Sequence, residues 1–131
     1  MCIRDRRDID NQWFGLSIRS RVIMYNQKKV NKSELSTYED LANSKWKGRI
    51  CIRSSNNIYN QSLMASIIEA NGSNNAYLWA KNVRNNMARA PRGNDRDQIR
   101  AVANGIGDLA IVNTYYAVSY THLTLPTNRE V

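Results

Sequence analysis

At 131 residues and a formal charge of +8, the chain is long enough for one domain with a real core, and basic enough to attract nucleic acid or anionic surfaces. No run of Lys or Arg exceeds two and no glycine-aromatic interleaving suggests base stacking, so the charge reads as a solvated surface and no nucleic-acid partner is expected. Cys2 and the single histidine, His122, stand near the ends, which excludes a His/Cys zinc site and a Cys-His nucleophile from the interior.

In chain order, 16–25 reads as a strand, with Leu16, Ile18, Val22 and Met24 only partly in step. Asn26 to Asn31 is a polar turn. Ser36-Thr37 opens a short helix over Tyr38 to Ala42, with Glu39 and Asp40 in the first turn, where the helix dipole favours acids. Trp46-Lys47-Gly48 is a turn. Arg49 to Arg53 is short, apolar and bounded, like a buried parallel strand, with Cys51 as small core filler. Ser54 to Asn57 then leads into a helix over Ile58 to Ala70, whose face is Leu63, Met64, Ile67 and Ile68, ended by Asn71-Gly72. Ser73 or Asn74 caps the next helix, whose face is Ala76, Trp79, Ala80, Val83 and Met87. Pro91 to Asn94 is a loop, and Asp95 caps a helix carrying Ile99, Val102 and Ala103. Leu109 to Val112 is a second buried strand. Strand–helix alternation predicts an α/β unit with a parallel sheet. Trp13, Trp46 and Trp79 read as core or interlobe packing, and Asp95, Asp97 and Asp108 lack the paired setting of an acid–base catalyst, so no enzyme is expected.

The residues that carry chemistry are tyrosines. Tyr115-Tyr116 end the apolar run, and Tyr59 lies 56 positions earlier, just after Ser54-Ser55-Asn56-Asn57. Phenolate is a hard anionic oxygen donor, suited to Fe(III) and poorly suited to zinc or copper(I). Adjacent tyrosines serve equally as packing or interface aromatics, and spacing alone leaves both roles open. Both groups follow predicted strands, and ligands of open α/β sheets bind beyond the carboxyl ends of strands. Helix starts there also favour anions and would help keep a phenol ionised.

Between about Gln12 and Tyr116 the chain resembles the ferric-iron-binding, solute-binding proteins of bacterial ABC iron-uptake systems. The blocks that carry the resemblance are WFGLSIRSRVIMYN, LSTYEDLANSKWKGRICIRSSNNIYNQSL and RGNDRDQIRAVANGIGDLAIVNTYY. The resemblance implies that Tyr59, Tyr115 and Tyr116 are Fe(III) ligands from one lobe. It further implies that Ser54, Ser55, Asn57 and Asn113 hold a small synergistic anion or support the ligands, although Ser54 to Asn57 also suit a helix cap. The implied fold is a two-lobe periplasmic-binding-protein-like architecture that closes by a hinge, with an ABC transporter permease as partner and a location outside the cytoplasm. This chain would hold the end of the first lobe and one hinge crossing (7–25), then part of the second lobe (26–117), so the opposing ligands would come from elsewhere.

Residues 1–6 and about 118–131 do not continue the resemblance and are similar to translated sequencing-adapter text, so they are expected to add nothing to the fold. The two ends carry Arg4, Asp5, Arg6, Arg129 and Glu130, net +1, which leaves +7 between them. Two other readings stay open at this level. One is a binding protein of the same fold for sulfate or phosphate, and the other is a basic nucleic-acid-binding module.

Overall fold

The computed structural model describes residues 8–15 and 19–120. Three strands, β1 (Arg21–Tyr25), β2 (Ile50–Cys51) and β3 (Leu109–Asn113), form one sheet in the order β1-β3-β2. Four helices accompany them, α1 (Ile58–Asn71), α2 (Ser73–Asn85), α3 (Asp95–Ala103) and α4 (Thr114–Tyr120). The α/β class stands, but the sheet is mixed. β2 runs parallel to β3 while β1 runs antiparallel to it, with Arg21 opposite Asn113 and Tyr25 opposite Leu109. Strand–helix alternation, from which a parallel sheet is expected, describes β2 and β3, joined through α1, α2 and α3, but not β1, which no α-helix joins to β2.

All five residues of β3 are buried, so helices cover both faces of the sheet. Side-chain alternation sorts the core into two clusters. Ile50, Leu109 and Ile111 face Leu63 and Ile67 of α1, Ala76 and Val83 of α2, and Leu41 and Trp46. Met24, Cys51, Ala110 and Val112 face Ile99, Ala101 and Val102 of α3. Cys51 is fully buried, as a core filler should be.

Local chemistry explains most boundaries. Asn57 accepts from the Tyr59 backbone N–H and starts α1, and Gly72, at φ 78°, ends it. α3 opens with a capping box in which Asn94 caps and Asp97 reaches back. Gly93 is required just before it, because φ is +71° and a Cβ there would lie 2.5 Å from Asp97 Oδ2.

Several expectations need correction. The first strand is confined to Arg21–Tyr25, with 16–18 outside the described residues, and the second to Ile50–Cys51. The helix placed over Tyr38 to Ala42 is a 3-10 turn, Glu39–Ala42, followed by another at Ser44–Trp46. Neither Ser73 nor Asn74 caps α2; Gly72 occupies the cap position without a side-chain bond. Ile68 is 39% exposed, and of the core and interlobe roles read for Trp13 the core one does not hold, since it is 58% exposed. Asp95 is not the α3 cap but a fully buried carboxylate inside it. Residues 1–6 and 121–131 lie outside the described residues, and 118–120 complete α4.

Candidate metal centre

β2 and β3 are parallel, so both deliver chain to the same sheet edge. Tyr59 lies in the first turn of α1, after β2, and Tyr115 and Tyr116 lie in the first turn of α4, directly after β3. Their side chains meet. The Tyr59 and Tyr115 hydroxyls are 3.1 Å apart, and the Tyr115 and Tyr116 rings have centroids 4.2 Å apart at 41°. Among the described residues no group of three or more His, Cys, Asp or Glu side chains gathers, so phenol oxygens are the anionic donors this edge assembles.

The three phenols differ in acidity. Burial pushes Tyr115 up, but hydrogen bonds from Tyr116, Tyr59 and Asn113, with the charge of Arg19, bring it below its ordinary value. Tyr59 is raised, chiefly because its hydrogen bond to Tyr115 and that neighbour's charge both favour its neutral form. Tyr116 is pushed up to about 12, first by its hydrogen bond to Tyr115 and then by burial. Of the three, Tyr115 is therefore the phenol whose ionisation its neighbours ease. Tyr59, in the first turn of α1, is thus raised and not lowered as a helix start by itself would favour. Arginines complete the surroundings. Arg53 and Arg21 lie 5.4 and 5.8 Å from the Tyr59 ring centroid, and Arg96 lies 5.2 Å from that of Tyr116.

Of the polar residues named from sequence, Asn113 joins the phenols. Its Nδ2 lies 3.5 Å from the Tyr115 hydroxyl, its Oδ1 accepts from Arg21 at 2.9 Å, and it is 1% exposed. Ser54, Ser55 and Asn57 make local bonds instead. Ser54 Oγ accepts from the Asn56 N–H, the Ser55 carbonyl accepts from Gln61, and Asn57 is engaged as the α1 cap.

Beneath the tyrosines lies a network that sequence reasoning missed. Asp95 accepts from Arg21 at 2.9 Å, from Arg53 at 3.2 Å and from the Asn113 N–H at 2.8 Å. Arg21 also donates to Asn60 at 2.8 Å and to the Ile111 carbonyl at 3.0 Å. Arg21 and Arg53 are thus mostly buried ion-pair members, not solvated surface charges. One signal was available, since Asp95 shares the i, i+4, i+7 stripe of Ile99 and Val102 and so points inward with them.

The sequence model of the bacterial extracellular solute-binding protein family matches residues 4–124. The chain is 56% identical over 110 residues to iron uptake protein A1 of Synechocystis sp., a match covering 84% of this chain and 31% of that protein. It is 30% identical over 105 residues to the major ferric iron-binding protein of Neisseria gonorrhoeae, covering 79% of this chain and 31% of that one. The structure of Trichodesmium IdiA (FutA) in complex with iron and citrate superposes with a TM-score of 0.86 at 54% identity, over 93% of this chain and 40% of that chain. The chain spans about a third of the length of the curated relatives it matches. By sequence over nearly its whole length, and by a fold of the same lobe architecture, the chain belongs to the bacterial extracellular solute-binding protein family.

Proposed function

We infer that the complete protein binds ferric iron outside the cytoplasm and delivers it to an ABC transporter permease, with Tyr59, Tyr115 and Tyr116 as ligands from this lobe. The observation that carries the reading is the meeting of three phenols at one sheet edge, with two hydroxyls 3.1 Å apart. Three neutral phenols have little reason to converge on a solvent-facing edge, whereas three phenolates together balance the charge of one Fe(III). Relatives named for iron uptake and ferric-iron binding support the same reading. Capture releases the phenolic protons to water. The tyrosines and the ligands of an opposing lobe then enclose the ion, and protonation, reduction or docking lets it go.

Asn113 is the residue here best placed to hold a small anion beside the ion or to steer Tyr115, and the Trichodesmium relative carries citrate together with its iron. Ser54 and Ser55 remain available to such an anion through side chains on the same loop, while Asn57 is engaged as a cap. Nothing favours the nucleic-acid reading, since two of the arginines are tied to Asp95.

The test uses the complete protein. Fe(III) should give a visible phenolate-to-iron charge-transfer band. Tyr115→Phe or Tyr116→Phe removes one oxygen and keeps the ring, so each should weaken binding and shift or bleach the band. Tyr25→Phe and Tyr77→Phe should change nothing, because Tyr25 lies at the far end of β1 and Tyr77 is 66% exposed on α2. An unchanged band in both adjacent-tyrosine variants would remove Tyr115 and Tyr116 from the ligand set, and the absence of any band in the wild-type protein would sink the iron reading and favour a sulfate- or phosphate-binding role.

A further inference from the structure

The Arg21–Asp95 pair is unusual in what it touches. Arg21 stands at the amino end of β1, and because β1 is antiparallel this end reaches the tyrosine edge. Its guanidinium is mostly buried and Asp95 is fully so. One terminal nitrogen donates to Asp95 and to Asn113 Oδ1, each at 2.9 Å. The other donates to Asn60 Oδ1 at 2.8 Å and to the Ile111 carbonyl at 3.0 Å. Those acceptors belong to α3, β3 and α1. Asn60 follows Tyr59 in the chain, and its amide is held in turn by the Arg53 carbonyl at 2.8 Å. Asn113 reaches the Tyr115 hydroxyl directly.

We propose that Arg21 is a positioning residue of the tyrosine site, joining the element that carries Tyr59 to the residue that steers Tyr115 and so holding the two hydroxyls together before an ion arrives. This inference rests on the iron reading above. A planar guanidinium suits the task, because its fixed fork can serve four acceptors in one geometry, whereas a lysine ammonium offers three donors on a flexible stem. Asp95 offsets one of the two buried positive charges and fixes the fork from below, with Arg53 on its other oxygen. A buried ion pair is a poor source of net stability, which suggests that this one is kept for geometry. The gain is preorganisation, since three oxygens that repel one another once ionised do not have to be gathered during capture.

The experiment compares the wild-type complete protein with its Arg21→Lys and Asn60→Ala variants. The first keeps the charge and loses the fork; the second keeps the Arg21–Asp95 pair and removes both links of the Asn60 amide, to Arg21 and to the Arg53 carbonyl. In the iron-free state, ring signals of Tyr59 and Tyr115 in a 13C-tyrosine NMR spectrum should move in both variants while that of Tyr25 stays. With Fe(III) bound, the charge-transfer band should shift, and release to a competing chelator should quicken about 10-fold or more, the usual scale for groups that orient metal ligands. Tyrosine signals, band and release rate all matching wild type in both variants would overturn the proposal. If Arg21→Lys does not fold, Asn60→Asp, which keeps an acceptor for Arg21 and loses the amide donor to the Arg53 carbonyl, is compared with Asn60→Ala by the same readouts, and equal effects of the two would overturn the proposal. A wild-type protein with no band would defeat the iron reading, and the iron-free tyrosine signals would still decide whether Arg21 positions the phenols.

Discussion

The acid–base state of the three phenols sets how the site must work. Tyr115 is drawn toward ionisation, while Tyr59 and Tyr116 are held neutral, Tyr116 up to about 12. All three belong to a residue type with an ordinary pKa of about 10, so at neutral pH bound iron must drive off their protons. The sign follows. Affinity rises with pH, and falls by about 10-fold per displaced proton for each unit of pH drop, for every phenol titrating above the working range. A competition titration of the complete protein between pH 5.5 and 7.5 should show this slope. Tyr116→Phe should make it shallower by one proton, because that phenol is the most reluctant to ionise. A slope unchanged in that variant would remove Tyr116 from the ligand set.

At the scale of the element, the turn that carries Tyr59 is held by the cap that starts its helix. The Asn57 side chain accepts from the backbone N–H of Tyr59 itself at 2.9 Å. Asn57→Ala should therefore cost about 1 kcal/mol in denaturant unfolding and loosen the turn that carries Tyr59, with faster iron release as the visible consequence. Ser55→Ala, at an exposed loop position, should leave the unfolding midpoint in place, and equal losses in the two variants would contradict the capping argument. The strands contribute differently. β3 is buried on both faces, so Ile111, 1% exposed, supports the α1–α2 side of the core just two residues before Asn113. Ile111→Ala should cost about 2–5 kcal/mol, measured by chemical denaturation, and a smaller loss would mean that the site above it can collapse into the space.

For the molecule as a whole, ion binding and folding are linked. An ion that binds the folded form alone adds about 2.7 kcal/mol of stability at a free concentration 100 times its dissociation constant. Thermal unfolding of the complete protein should therefore shift upward with Fe(III). The shift should vanish when Tyr59, Tyr115 and Tyr116 are all replaced by Phe, with the iron-free midpoint little changed, because the rings remain. A shift that survives in the triple variant would place the stabilising ion elsewhere. β1, α1, α3 and β3 all meet at Arg21 and Asp95, so one mostly buried guanidinium ties β1 to the tyrosine edge.

The helices α1 and α3, the two buried strands and the meeting of Tyr59 with Tyr115 were legible in the sequence. Caps, glycine stops and apolar periods act within a turn or two of chain, and parallel strands place their carboxyl ends on one edge by rule. The resemblance names Ser54 and Ser55, and the structure gives Ser54 Oγ a bond from the Asn56 N–H and the Ser55 carbonyl a bond from Gln61. The direction of β1, the burial of Asp95 and the role of Arg21 were decided only by tertiary structure. Arg21 and Asp95 are 74 positions apart, and scattered arginines on a basic chain look alike until packing selects which ones lose their water. The sequence by itself singled out three phenol oxygens as candidate donors for a hard cation. The packing of an antiparallel strand against β3 decided what holds those oxygens in place, because a buried charge must find its partners wherever the fold brings them.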